Sequence, residues 1–389
     1  MEVLEYTPKK NSKLKKIIII TILSILTITG IIISSLYVTD EEFRENFDIY
    51  ILRKEIKENT AATILLNSGE TKHIYAFDKY IGILNKSTLT LYNNLGEEVK
   101  KLSIMISTPI IEKSNKYMCI AEKNGQKIYL INGENIIWDK EIEGNIIDVN
   151  VNKNGYVSIV VTGTSYKTVV ITFDNKGKEI FKTYLASTNV ITTDISYDNK
   201  YLAIAEVDST SAIIQSNIKI ISIEKAKTEP EKSIIYTHKA ENNSLIIDIQ
   251  YQEKGSLLCL YDNTVHLIEN ENDTELLQTN VNTEFIDIHL KGYTVQAIET
   301  KELFKSNIQL LMKNTNNKTE NLYLTSGVLK SMEVSDEKVA LNFSTEVHFV
   351  NSNGWALKKY VSSQGITDVV LGDTIAGIIY RNKMEIISL

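Results

Sequence analysis

Hydrophobic positions along this chain fall into three regimes. From Ile17 to Val38 runs an uncharged stretch of 22 residues dominated by isoleucine and leucine. At about 1.5 Å per residue it is long enough for a hydrocarbon core of roughly 30 Å, and predicts one transmembrane helix. Over 39–59 the apolar residues Phe43, Phe47 and Ile51 recur at i, i+4 and i+8 among charges, which predicts a stalk with a short amphipathic helix. Beyond residue 60 the period drops to two. Alternating or wholly apolar runs of 4–8 residues, separated by Asn, Asp, Gly and Lys, predict strands joined by hairpins.

One strand phrase repeats: Ile147-Asp148-Val149, Thr193-Asp194-Ile195, Ile247-Asp248-Ile249, Ile286-Asp287-Ile288 and Thr367-Asp368-Val369. The steps between these aspartates are 46, 54, 39 and 81 residues. They fit one, one, one and two units of a four-stranded repeat of about forty residues, the length of a propeller blade. Residues 146–186 show such a unit most clearly, with turns at Asn152–Gly155 and Asp174–Gly177 between its apolar runs.

Inner strands are expected to begin near His73, Pro109, Ile146, Ile191, Leu245, Glu284, Leu329 and Ile366. The prediction is therefore an all-β, eight-bladed propeller over 60–389, with seven blades as the alternative because the unit at 284–327 has weak third and fourth strands. The last unit supplies only three strands, ending at Met384–Leu389, while Ala61–Leu66 is a spare strand at the other end. Pairing the two closes the ring and removes an open edge. The expected divisions are thus a basic tail at 1–16, the helix at 17–38, the stalk at 39–59 and the propeller at 60–389.

The segment Ser196-Tyr197-Asp198-Asn199-Lys200-Tyr201-Leu202-Ala203 resembles the Ser-Pro-Asp-Gly-Lys-Tyr-Leu-Ala phrase of TolB-like and WD40-like propellers, with Tyr197 in place of proline and Asn199 in place of glycine. Gly177-Lys178-Glu179-Ile180-Phe181 and Gly354-Trp355-Ala356-Leu357-Lys358 resemble the outer hairpin of quinoprotein-type propellers, where a turn glycine precedes an aromatic. As a whole the chain resembles single-pass membrane proteins of Firmicutes with such an ectodomain, the DUF5711 type. The likeness lies in fold motifs, so it implies architecture and leaves the chemistry open.

Charge sets the expected topology. Lys9, Lys10, Lys13, Lys15 and Lys16 precede the apolar run, and Asp40, Glu41, Glu42 and Glu45 follow it. The positive-inside rule places the amino terminus in the cytoplasm and the propeller outside, anchored in the cell membrane through 17–38. A cleaved signal peptide is the alternative, but its apolar region is normally shorter and ends at a small-x-small site. Beyond residue 16 the chain holds 37 basic and 47 acidic side chains, a balance that argues against nucleic acid. Cys119 and Cys259 lie inside apolar strands of blades three apart, which argues for two buried thiols and no disulfide.

The repeated aspartates are the sharpest candidates for chemistry. On inner strands, Asp148, Asp194, Asp248, Asp287 and Asp368 could form an acidic collar offering oxygens to a cation such as Ca²⁺. The structural alternative, which repetition in nearly every blade favours, is that each carboxylate bonds backbone N–H groups. No catalytic residue is identified and no cofactor is expected: His73, His238, His266, His289 and His348 fall at no metal-ligand spacing, and no Gly-x-Ser-x-Gly elbow or phosphate loop is present. Trp138 and Trp355 are read as rim cover. The leading expectation is a non-enzymatic scaffold for an envelope protein or cell-wall component, with a ligand or ion sensor in the channel, or a propeller enzyme, as alternatives.

Overall fold

The computed structural model describes residues 12–39, 47, 51, 61–66, 73–210, 214–240, 244–302 and 306–389, with side chains of the first segment described over 20–37. Contacts divide the chain into two units, 1–57 and 58–389.

In the first unit, α1 (Ser12–Thr39) is a continuous helix. Its segment Ile20–Tyr37 is long and apolar enough to cross a membrane. Ser24, Thr27 and Thr29 donate their hydroxyls to the carbonyls of Ile20, Leu23 and Ile25 one turn back, at 2.9–3.1 Å. Every polar side chain among these three is therefore satisfied within the helix, as a lipid setting demands. The expected amphipathic helix at 40–59 lies outside the described residues, apart from Phe47 and Ile51, whose N–H to carbonyl bond of 3.0 Å is one helical turn.

The second unit is an eight-bladed propeller of eight four-stranded antiparallel sheets. Seven blades are contiguous in sequence, at 73–103, 109–141, 145–185, 189–239, 246–278, 283–326 and 331–361. The eighth joins three C-terminal strands, 368–388, to the strand Ala62–Leu65 on their outer side. The closure expected from sequence is present: Ala62 faces Ile386, Ile64 faces Met384 and Leu65 faces Lys383, and Leu66 donates to the Asn382 carbonyl at 2.9 Å. The sixth blade, which left seven as an alternative, is complete. Its third strand, Ser306–Asn314, is nine residues long.

Each blade begins at the channel and ends at the rim, and its two faces press against its neighbours. Blades 2 and 3 share a core of Cys119, Ala121, Ile146, Val149, Val151 and Ile159, and comparable clusters fill the other blade boundaries. Both cysteines are free and buried. Trp138 lies at the rim against Phe173, with ring centroids 5.8 Å apart, and under the turn of Gly177. Gly177 has φ of +77°, and a Cβ there would stand 2.8 Å from Trp138 Cγ, so the turn needs glycine for conformation and for space. Asn199 has φ of +58°, a left-handed conformation that asparagine adopts more readily than most residues, and so fills the place of the expected glycine. Ser196 Oγ accepts from the N–H groups of Lys200 and Tyr201 and fixes the same turn.

Candidate functional site

Four successive inner strands carry a β-bulge at their start. The partner strand skips Ile147 in blade 3, Ile191 in blade 4, Ile247 in blade 5 and Glu284 in blade 6. A bulge sets two consecutive side chains on one side of a strand. In blade 5, Ile246 and Ile249 are buried against blade 4, while Ile247 and Asp248 both turn the other way. The repeated phrase is therefore not in one register. Asp148 and Asp248 directly follow the skipped residue, whereas Asp194 and Asp287 come two positions later on the same side.

Asp194 and Asp248 lean towards the next blade round the ring. Asp194 Oδ1 accepts from its neighbour Ile195 N–H at 2.8 Å, and its Oδ2 accepts from Tyr251 N–H in blade 5 at 2.5 Å. Asp248 accepts from Ile249 N–H at 2.8 Å and approaches His289 Nε2 of blade 6 at 3.5 Å. Asp287 accepts from His289 N–H at 2.6 Å and meets its Nδ1 at 3.2 Å. Asp368 accepts from Val369 N–H and is exposed, and its charge helps to raise Glu333. Two acids belong to the same ring without an aspartate phrase to announce them, Glu112 in blade 2 and Glu333 in blade 7. Their strands, Ile110-Ile111-Glu112 and Met332-Glu333-Val334, match the aspartate strands if Glu is allowed for Asp.

Where the inner strands end, they enclose a cavity of about 270 Å³ whose wall includes Glu112, Asn150, Asp194, Tyr197, Asp248, Gln250, His289, Glu333, Asp336 and Asp373. Of the five aspartates singled out from sequence, Asp194 and Asp248 reach this wall. Asp287 reaches it through His289, and Asp148 lies close enough to Glu112 to feel its charge.

Burial dominates the electrostatics. Burial, then Glu112, pushes Asp148 up to about 7, against the Thr192 hydroxyl and the Val149 N–H. Burial also pushes Asp194 up to about 7, against the N–H groups of Tyr251 and Ile195. Glu112, Asp248, Glu333, Asp336 and Asp373 are all raised, each first by burial. For His289 burial works the other way, yet Asp287, Asp248 and Glu112 together hold it well above its ordinary value. His289 is 43% exposed and Asp287 29%, so water in the channel screens part of this attraction. Asp148 Oδ2 and Asn150 Oδ1 are sealed from solvent and have no hydrogen-bond donor.

Among the described residues, no group of three or more His, Cys, Asp or Glu side chains could hold a metal ion. Two histidines do meet outside the channel. His266 Nδ1 is 2.9 Å from Asp273 Oδ1, and His238 Nε2 of the neighbouring blade is 3.4 Å from Asp273 Oδ2. Sequence spacing hides this meeting because it forms across a blade boundary. His266 and His348 do occupy the same place in their blades, the third residue of the third strand, each against an aromatic ring, Tyr261 at 5.0 Å and Phe343 at 4.9 Å.

The opposite face, where inner strands begin, is different in kind. Met105, Leu245, Val281 and Val328 stand exposed on the loops entering blades 2, 5, 6 and 7, with Val281 at 100%. Ile191 at 39% and Ile247 at 53% add bulged residues to that face.

Comparison with known proteins agrees on the fold. The C-terminal WD40 domain of Sif2 is similar over 84% of this chain and 99% of its own, with 13% identity and a TM-score of 0.56. BamB from Moraxella catarrhalis covers 84% of this chain and 95% of its own, with 9% identity and a TM-score of 0.48. No curated protein sequence matches the chain. Residues 51–389 match a family described as one of unknown function, DUF5711, and to that family the chain belongs.

Proposed function

We propose that this chain is a membrane-tethered, non-enzymatic propeller scaffold that holds an envelope protein or cell-wall component at the outer face of the cell membrane. The observation that carries the reading is the set of exposed apolar side chains on the face where the inner strands begin. Bulges expose Ile191 and Ile247 on the face where Met105, Leu245, Val281 and Val328 are also exposed. Exposed apolar surface gathered on one face of a domain usually marks an interaction surface. A bulge costs ladder pairing and re-aims side chains, so the two exposed bulged isoleucines favour recognition over packing, whereas Ile147 packs against the core of blades 3 and 4. Anchoring through 17–38, with Lys9 to Lys16 retained in the cytoplasm, supports placing that surface outside.

The cavity supports scaffolding better than catalysis. Both oxygens of Asp194 accept backbone N–H groups, and both ring nitrogens of His289 lie beside carboxylates. Asp194 is thereby held by the backbone and His289 by the aspartates on either side of it.

Proximity labelling from the propeller in intact cells tests the proposal. Wild type is expected to enrich a small set of envelope neighbours, and the pair Ile247→Asp with Val281→Asp to lose them while melting within a few degrees of wild type. Equal enrichment by both proteins overturns the reading.

A further inference from the structure

The turns on the face where inner strands begin carry charge as well as apolar residues. Lys86, Lys123, Lys167 and Arg381 lie between the second and third strands of blades 1, 2, 3 and 8, and Lys330 lies in the connection from blade 6 to blade 7. Against these five cations stand three acids on the described connections of that face, Glu143, Asp262 and Glu302. The chain beyond residue 16 has the reverse balance, 37 basic to 47 acidic side chains. The pairing differs too. On the cavity face, Lys153 and Lys291 approach Glu253 at 3.8 and 3.0 Å, Lys200 meets Asp198 at 2.9 Å and Lys338 meets Glu337 at 3.7 Å. Among the described residues, no carboxylate lies within ion-pair distance of Lys86, Lys123, Lys167, Lys330 or Arg381, and Lys167 donates instead to the Ser187 carbonyl at 3.1 Å.

The cations stand beside the exposed apolar residues. Ile104 and Ile106, on either side of Met105, donate their N–H groups to the carbonyls of Ser87 and Lys86 at 3.0 and 3.1 Å, and Lys123 N–H donates to the Thr108 carbonyl of the same loop at 2.7 Å. The Met105 loop is thus bonded to the backbone of one lysine from blade 1 and one from blade 2. Lys167 grips the loop that leads to Ile191, and Lys330 follows Val328 by two residues. Apolar contacts inside a charged rim are the usual anatomy of a protein interface, and rim charges of one sign select a partner of the other. A polyanionic wall polymer answers the cations but brings no apolar side chains to cover Val281, which is 100% exposed. A lipid surface offers both, but interfacial anchoring favours Trp and Tyr, and both tryptophans lie elsewhere, Trp138 at the rim and Trp355 on a turn of the cavity face.

We infer that the partner docking on this face is a protein whose contact segment is acidic as well as apolar. The inference rests on the scaffold reading and narrows it, since it names the chemistry that the face recognises. The partner's carboxylates meet Lys86, Lys123 and Lys330 at the edge of the contact, where neither charge has to be stripped of water, while its apolar side chains cover Met105, Ile247 and Val281. Association therefore quickens at low salt, because opposite charges steer the two surfaces together.

Photo-crosslinking of the full chain in intact cells tests the inference, with benzophenone at Val281 and the crosslinked partner segment read by mass spectrometry. The expected adduct is a protein, joined at a segment with more Asp and Glu than Lys and Arg. Lys86→Glu with Lys330→Glu is expected to cut the adduct yield about tenfold or more, while Lys254→Glu, on a turn of the cavity face, leaves it unchanged. Should the double reversal not fold, the neutral pair Lys86→Gln with Lys330→Gln is expected to give a smaller loss in the same direction. A neutral or basic partner segment overturns the inference and leaves the scaffold reading standing, as does an equal loss in Lys254→Glu or no loss in the paired variants. Adducts with lipid or wall polymer alone also overturn it. No adduct at all contradicts the scaffold reading and the inference with it.

Discussion

At Asp148 burial and charge are in open conflict. One carboxylate oxygen is sealed from water without a donor, and Glu112 adds a like charge, so the group is pushed up to about 7. Asparagine has nearly the same shape and carries no charge. Asp148→Asn is expected to raise stability by about 1–3 kcal/mol at pH 8 and by much less at pH 5, where the acid is already protonated. Denaturant melts at the two pH values measure this, and equal gains at both would show that charge is not the cause. Gly177 makes the opposite case. Alanine there meets Trp138 and an unfavourable φ together, and Gly177→Ala is expected to cost about 1–3 kcal/mol, read as a lower midpoint with unchanged slope.

Among elements, the closure strand and the bulges show what sequence can and cannot reveal. The pairing of Ala62–Leu65 with Lys383–Ser388 was legible because an incomplete last unit and a spare first strand leave one economical solution. Inner-strand starts were legible to within about two residues, since turn residues and period-two patterning mark them. The bulges were not legible. An inserted residue keeps a strand looking apolar while it moves later side chains along the register, so Asp148 and Asp194 read alike in sequence and sit at different levels. Glu112 and Glu333 occupy inner strands with a different residue from the repeated aspartate, so only the charge, and not the residue name, recurs there. His238 and Asp273 belong to different blades, and no local pattern joins them. Deleting 61–66 is expected to expose the edge of the last blade and make the propeller associate with concentration more than wild type does, visible in light scattering. A deletion variant that associates no more and melts no lower than wild type would contradict the closure role.

For the whole molecule, the channel acids set how stability follows pH. Asp148 and Asp194 bind protons in the folded state between the ordinary carboxylate range and about 7, where the unfolded chain has released them. Stability therefore falls as pH rises through that window. His289 acts in the same direction: its contribution is complete below its ordinary value and is lost as pH rises through its elevated one. The more exposed Asp198, Asp208 and Glu385, held low, oppose this only in stronger acid. A higher melting temperature at pH 5 than at pH 8 is expected, and the reverse order would contradict the electrostatic picture of the channel.

The central claim is that the exposed apolar residues on the face where inner strands begin are where a partner docks. Photo-crosslinking in living cells tests it most directly, with a benzophenone side chain placed at Ile247 or Val281 on that face, or at Leu324 on the rim. Discrete adducts from Ile247 and Val281, absent from Leu324, are the predicted result. Adducts from the rim alone, or none from any position, would contradict it.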